Sequence, residues 1–391
     1  MKITSVDVFQ LRWFGLMPAW HPIVVRINTD TGISGFGEAG IAYGVGTDGT
    51  IGMITNLAKM IIDADPLQTE KIWQQFYQQT FWAKGGGTIF YAAVSALDTA
   101  LWDIKGKFFN TPVYQLLGGK LRNQIRAYAS QLQFDWNDKV HFLTDPKDYA
   151  KAAERAVNQG YSAVKVDPFM VINNHQLRQV KHGLLTSQAM EKYADRLRAI
   201  RQTIGPDREL ILECHAKLTA NSASQFIKKY HELNFYYVEE PCAPMNPDTM
   251  TAIKDATGEP LASGERISTR FRFEPFIKDR ALSVVQPDIG ICGGITEAKK
   301  ICDMADTNDI DVQFHVCGSP IVTAVALQLE AVIPNALIHE HHEISLKSQV
   351  RSSAKYDDQP VNGYFQVPDR PGIGQELSES AMDEAVQTRI E

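Results

Sequence analysis

Long apolar runs, clustered cysteines and a surplus of positive charge are all missing from this sequence. Its 391 residues include five cysteines, Cys214, Cys242, Cys292, Cys302 and Cys317, and no two of them form a Cys-x-x-Cys pair. An odd, scattered set of this kind argues against a disulfide framework and fits a reducing, cytoplasmic compartment. No uninterrupted apolar stretch approaches the ~18 residues of a membrane span. The opening residues, MKITSVDVFQLRWFG, lack the apolar centre of a secretory leader and alternate as a strand does. Net charge is −7, with Lys and Arg dispersed among acids, so neither nucleic acid nor an anionic membrane is expected as a partner. Low-complexity linkers and short repeats are absent too.

What is there is an ordinary globular composition, 44% hydrophobic and 22% charged. The length exceeds one typical domain, yet an α/β barrel absorbs about 250 residues as one unit, so two domains are expected. MKITSVDVFQLRW and HPIVVRINTDTGISGFGEAG read as strands with glycine turns. A helical region follows from about Thr50 to Leu117, in which Ala93, Leu97, Ala100, Leu101 and Ile104 recur at helical spacing. From Ile125 the texture changes to short apolar strands (IRAYAS, SAVKVDP, ELILECH, FYYVEEP, PLASGER, ALSVVQPD, DVQFHV and ALIHEH). Amphipathic helices such as KDYAKAAERAVNQG and NSASQFIKKYHELN lie between them. Such alternation predicts a parallel sheet with right-handed crossovers.

These strands end in polar residues at a nearly constant interval. Glu213 and Glu239 are 26 residues apart, as are Glu239 and Glu265; Asp288 follows after 23, His315 after 27 and Glu340 after 25. The interval from Lys165 to Glu213 is 48, and the surplus in MVINNHQLRQVKHGLLTSQ reads as a long loop with a helical piece. In a βα barrel the C-terminal strand ends converge on one mouth, where active sites sit. A single Glu there is more often just a salt-bridged strand end. Three on adjacent strands, Glu213, Glu239 and Glu265, would repel one another unless a hard cation joined them, and an all-oxygen set suits Mg²⁺. Residues two apart share a strand face, which pairs Glu213 with His215 and Lys165 with Asp167, and turns Cys214 and Glu240 away. Asp288 and His315 end neighbouring strands, and a carboxylate beside an imidazole fixes its tautomer and raises its basicity, as a general base requires. The histidines of HEHHEIS, 339–345, are split over two faces by the same alternation.

VSALDTALWDIKGK at 94–107, VEEP at 238–241, GER at 264–266 and QPDIGICGGITE at 286–297 resemble the signatures of the mandelate racemase and muconate-cycloisomerase branch of the enolase superfamily. HVCGSPI at 315–321 and PNALIHE at 334–340 resemble its acid-sugar dehydratases of the galactonate dehydratase type. The resemblance spans nearly the whole chain. It implies an α/β fold, a (β/α)7β modified TIM barrel with an α+β capping domain built from both termini. The cap would take residues 1–120, the barrel 121–345, and 346–391 would return to the cap. It also implies that Glu213, Glu239 and Glu265 hold Mg²⁺, that His315 with Asp288 is the base and His215 the acid, and that Glu340 meets a substrate carboxylate oxygen. Lys165 is placed to orient that carboxylate. The family's usual Asp at the first ligand is Glu213 here, and the Lys-x-Lys of its racemases is Lys165-Val166-Asp167, which removes a lysine base from this strand.

The implied activity is dehydration of a small acid sugar, an aldonate or aldarate, to a 2-keto-3-deoxy acid, by a homo-oligomeric lyase. A racemase or epimerase using the two histidines, and a catalytically silent sugar-acid sensor, are the competing readings. Specificity is expected from cap segments, LMPAWHP (16–22) and AYGVGTDG (42–49), with Trp82 and Lys84, because loops on a rigid scaffold carry it.

Overall fold

The computed structural model describes residues 1–12, 20–173, 176–178 and 183–391. The chain opens with three antiparallel strands, β1 (Ile3–Gln10), β2 (Ile23–Thr29) and β3 (Ser34–Ala39). Helices α1 (Thr47–Ala58), α2 (Thr69–Gln79) and α3 (Thr88–Phe108) cover one face of this sheet. Gly35 and Gly37 let α3 lie directly on β3, since a Cβ at either would collide with the helix backbone at Ala100 or Ala96.

The barrel follows. Its strands are β4 (Gln124–Ser130) and β5 (Ala163–Val166), then after a short hairpin, β6 (Val171–Asn173) and β7 (Gln176–Arg178), come β8 (Glu209–Glu213), β9 (Phe235–Glu239), β10 (Leu261–Ser263), β11 (Val284–Val285), β12 (Asp311–Val312) and β13 (His339–His342). The eight barrel strands correspond one for one to the eight apolar runs read from the sequence. The long connection after β5 holds a β-hairpin at its described positions, where a loop with a helical piece was expected. All barrel pairings are parallel, in the order β12-β11-β10-β9-β8-β5-β4-β13, and a parallel bridge from Val312 to Ala336 brings the two ends of the sheet together. The crossover helices start at deliberate stops: Asp145, Thr219, Asn246 and Ser319 each cap a helix N-terminus with a side-chain oxygen. Finally β14 (Tyr364–Gln366) pairs antiparallel with β4, and β15 (Val386–Ile390) pairs with β1, so the last strand lies in the first sheet.

The barrel interior is layered by strand alternation. Tyr128, Ala163, Ile211, Tyr237, Ala262, Val284 and Ile338 pack together as its apolar floor. Two residues further along each strand the inward positions turn polar: Ser130, Lys165, Glu213, Glu239, Gln286 and Glu340 are all buried. Two further again come Asp167, His215, Asp288 and His342.

The motif Val94–Lys107 lies on α3 and docks the cap on the barrel. Ser95 Oγ accepts from Gly293 N at 2.9 Å, Asp98 accepts from Thr296 N at 2.9 Å and Thr296 Oγ1 at 2.6 Å, and Trp102 Nε1 donates to Thr296 Oγ1 at 2.8 Å. Glu38 of β3 accepts from Ser319 N at 2.9 Å. These buried carboxyls have only neutral donors. Burial, opposed by those bonds, pushes Glu38 and Asp98 each up to about 7.

Candidate active site

Glu213 and Glu239 end β8 and β9 side by side in the parallel register. Glu265 arrives differently. Ala262 faces inward, so strict alternation would turn Glu265 outward; Gly264 has φ of 156° and redirects the chain. A Cβ there would meet the Gln286 backbone at 2.5 Å, so glycine is required both for the turn and for the close approach. One oxygen from each of the three carboxylates lies within 4.8 Å of the others.

Lys165 lies beside them, fully buried, with Nζ 2.6 Å from Glu239 Oε1, 2.8 Å from Glu340 Oε1 and 3.5 Å from Glu213 Oε2. Gln286 Nε2 donates to Glu239 Oε2 at 2.7 Å, while Ser130 Oγ and Val316 N donate to Glu340 at 2.6 and 3.0 Å. Burial opposes ionisation of Glu239 and Glu340, but Lys165 outweighs it and holds both below the usual carboxylate range. Glu213 goes the other way: burial and the Glu239 charge push it well above that range. Its Oε2 is buried without a hydrogen bond. An all-carboxylate set with one unsatisfied oxygen fits a hard divalent cation, whose charge would remove the conflict between Glu213 and Glu239.

Two imidazole–carboxylate pairs stand above. His315 Nδ1 is 2.7 Å from Asp288 Oδ2, and Asp288 Oδ1 accepts from Gly290 N at 2.7 Å. His315 Nε2 is 3.4 Å from Glu265 Oε2. Burial lowers the basicity of His315, but Glu265, Asp288 and Glu340 outweigh it and push it up to about 9; a divalent cation on Glu265 would withdraw part of that effect. On the other pair, His215 Nδ1 is 2.8 Å from Asp167 Oδ2, and Lys217 Nζ bonds the same oxygen. Burial and the Lys217 charge push His215 down. His215 and Ala216 both have positive φ, 43° and 56°, so the chain bends at the strand end, and His215 N donates to Glu213 Oε1 at 2.5 Å. Cys214 is buried on the helix side, as alternation predicts.

Both histidines and Glu265 line one cavity of about 260 Å³. Its far wall comes from the cap, through Trp20, Ile41, Tyr43, Val45 and Thr88. The expected specificity segments are thus represented by Trp20 and by Tyr43 and Val45, whereas residues 16–19 lie outside the described residues. Trp82 and Lys84 are absent from the lining, and Trp82 is 77% exposed. Lys165 and Glu340, like Glu213 and Glu239, are buried and are not among the residues that line the cavity. Glu240 is buried and ion-paired with Arg266, a cavity-lining residue that also lies 3.0 Å from Glu265 Oε1. In the histidine run, His339 pairs outward with Glu330 at 2.8 Å and His341 with Tyr161 at 2.5 Å, while His342 lines the cavity. Sequence reasoning passed over Lys217, Arg266, Gln131 and Gln133. Lys217 had a signal, since it follows His215 by the same two-residue step that pairs His215 with Glu213.

Residues 15–118 match the mandelate racemase / muconate lactonizing enzyme N-terminal domain, and residues 148–381 match the enolase C-terminal domain-like family. The chain belongs to the mandelate racemase / muconate lactonizing enzyme branch of the enolase superfamily. Among its relatives, the D-xylonate dehydratase of Haloferax volcanii is 29% identical over 365 residues, covering 92% of this chain and 84% of that protein. A solved member of the enolase superfamily from Salmonella Typhimurium shares 48% identity and superposes with a TM-score of 0.96 over 100% of both chains. A protein provisionally named a dehydratase, from Zymomonas mobilis ZM4, shares 43% identity with a TM-score of 0.96 over 100% of this chain and 99% of that one. The likeness therefore extends to dehydratases of this superfamily, not to the fold alone. Among the described residues, no helix is long and apolar enough to cross a membrane.

Proposed function

We propose that this protein is a Mg²⁺-dependent hydro-lyase that dehydrates a small acid sugar, an aldonate or aldarate, to a 2-keto-3-deoxy acid. One observation carries the reading: three carboxylates, Glu213, Glu239 and Glu265, converge to within 4.8 Å, and the last of them lines a cavity with two histidines, each oriented by its own Asp. Glu213, Glu239 and Glu265 would hold the cation. Bound there, Mg²⁺ supplies countercharge to a substrate carboxylate as its α-proton leaves.

The chain's own groups do the proton work. His315, with Nδ1 committed to Asp288, presents Nε2 to accept the α-proton. His215, with Nδ1–H committed to Asp167, acts in its doubly protonated form, whose Nε2–H protonates the departing β-hydroxyl. Loss of that hydroxyl as water leaves an enol, which tautomerises to the 2-keto acid. Lys165 and Glu340 act as positioning groups in the same layer, because Lys165 balances the carboxylates and Glu340 is fixed by Ser130, Val316 and Lys165. The cap wall, with Trp20 and Tyr43, shapes the sugar end of the site.

The test is a panel of aldonates and aldarates, D-xylonate included, incubated with the enzyme and Mg²⁺ and assayed for 2-keto product. A ketone from at least one acid sugar is expected. An epimer without ketone would make the enzyme a racemase, and no turnover across the panel despite Mg²⁺ binding would make it a sensor.

A further inference from the structure

Asp167 engages His215 by two routes. Its Oδ2 accepts from His215 Nδ1. Its backbone N–H, which can only donate, gives a hydrogen bond to Gln133 Oε1 at 3.1 Å. That bond settles the orientation of the Gln133 amide, whose Nε2 then donates to Gln131 Oε1. Gln131 is thereby fixed in turn, and its Nε2 faces His215 Nε2 at 3.5 Å. The bonds run in one direction around a closed ring, from the Asp167 backbone through two amides and the imidazole back to the Asp167 carboxylate. Asp167 Oδ1 accepts from Phe169 N at 2.9 Å, and Lys217 Nζ donates to Oδ2, so both carboxylate oxygens are engaged. Asp167, Gln133 and Lys217 are all buried.

We infer that Asp167, Gln133 and Gln131, with Lys217 bracing Asp167 from outside, form a positioning ring that keeps a proton on His215 Nδ1 and orients the imidazole at the cavity, with Gln131 covering Nε2 while that nitrogen carries no proton. As a role in catalysis this rests on the dehydratase reading above; as a structural assignment it does not. The ring explains why the strand that carries Lys165 ends in Asp167: a carboxylate is needed there to seat the imidazole of the next strand. It also separates the two histidines. Asp288 is steadied by a neutral backbone N–H, Asp167 by an ammonium. Lys217 lines the cavity, but its charge is spent on Asp167, so it is a positioning residue rather than a ligand for substrate.

The experiment reads the ring directly, in full-length Mg²⁺-loaded protein labelled with [15N]histidine. His215 signals are assigned by their loss in His215→Gln. In the wild type, Nδ1 should give the shift of a protonated nitrogen bonded to a carboxylate, with the Asp167 partner revealed by its change in Asp167→Asn. Lys217→Met should shift or broaden the His215 ring signals and leave those of His339 in place, and Lys217→Arg should restore them. Gln131→Met removes the donor at Nε2 without touching a charge, and it tests the opposite side of the ring if Lys217→Met does not fold. With an acid sugar that the wild type turns over, Lys217→Met should lower kcat about 10–100-fold, as loss of an outer partner does, with KM and Mg²⁺ affinity changed less than about threefold. A wild-type His215 whose Nδ1 is unprotonated would overturn the ring, as would His215 signals indifferent to both Lys217→Met and Gln131→Met. A KM rise with unchanged kcat would overturn the positioning role and make Lys217 a substrate contact. If no acid sugar is turned over, the dehydratase reading fails while the ring signals still decide the assignment.

Discussion

Two pairs of buried carboxylates in this molecule, one at the barrel mouth and one at the seam between cap and barrel, are shifted in opposite directions. At the barrel mouth, Glu239 and Glu340 share the buried ammonium of Lys165 and stay ionised. At the seam between cap and barrel, Glu38 and Asp98 are as deeply buried, but hydroxyls and backbone N–H groups are their donors, and both are pushed up to about 7. Burial alone does not set the charge of these four carboxyls; Lys165 separates Glu239 and Glu340 from Glu38 and Asp98, and even at the mouth Glu213, farther from Lys165 and beside Glu239, is pushed up. A close ammonium can hold charge in the interior, as Lys165 does for Glu239 and Glu340, whereas neutral donors leave burial to push Glu38 and Asp98 up.

The comparison breaks most visibly at the mouth. Glu239→Gln should cost more activity than the about 10–100-fold typical of an outer-shell partner, and should weaken Mg²⁺ binding in titration calorimetry. Its neighbour Glu240→Gln should leave Mg²⁺ affinity unchanged and lower only the melting temperature, because Glu240 pairs with Arg266 instead. Equal loss of Mg²⁺ affinity in the two variants would erase the distinction between them.

The two histidines come next, each expected to matter by about 10²–10⁴-fold. His315→Asn should stop both dehydration and exchange of the substrate α-proton with deuterium from solvent, followed by NMR. His215→Asn should stop dehydration while exchange persists, and a β-fluoro analogue, which needs little acid assistance, should rescue it. Rescue of His315→Asn by that analogue would reverse the roles.

Metal removal gives a smaller but clean effect on the folded state. EDTA should abolish activity, and Mg²⁺ or Mn²⁺ should restore it. By linkage, Mg²⁺ at a hundredfold excess over its Kd should add about 2.7 kcal/mol of stability, read as a rise in melting temperature. Glu239→Gln should blunt that rise, whereas Glu38→Gln should not.

The seam supplies the smallest effect and the opposite control. Glu38 has a folded-state pKa of about 7 against an ordinary value of 4.5, so between those values the folded protein holds more proton than the unfolded chain. Stability from this group is therefore present at low pH and lost as pH rises through that window. Denaturant unfolding at pH 5 and pH 8 should show the wild type losing about 2 kcal/mol more than Glu38→Gln. An equal pH dependence in both proteins would mean that Glu38 is ionised in the seam after all.

Much of this was legible along the chain because it depends on local periodicity. The eight barrel strands showed themselves as apolar runs between amphipathic helices, and the near-constant interval between polar strand ends brought Glu213, Glu239, Glu265, Asp288, His315 and Glu340 to one mouth. Alternation correctly separated Glu239 from Glu240 and Glu213 from Cys214. For Glu265 the interval gave the right place but alternation the wrong face, because Gly264 departs from strand geometry at the point where its backbone approaches Gln286. Neither could show that Trp82, which the sequence placed among the specificity residues, is solvent-exposed and does not line the cavity.

By itself, then, the sequence determined the order of strands and helices, the layer of each inward residue and the inventory of carboxylates and imidazoles, because each follows from spacing along one strand or helix. The tertiary structure decided the pairings. Lys165 joins Glu239 to Glu340 across 175 residues of chain, from Lys165 to Glu340. Lys217 reaches Asp167 on the neighbouring strand, and Glu38 of the cap meets Ser319 of the barrel. Whether a buried carboxylate keeps its charge depends on what stands within a few ångströms of it, and closing the barrel and seating the cap is what puts those neighbours there.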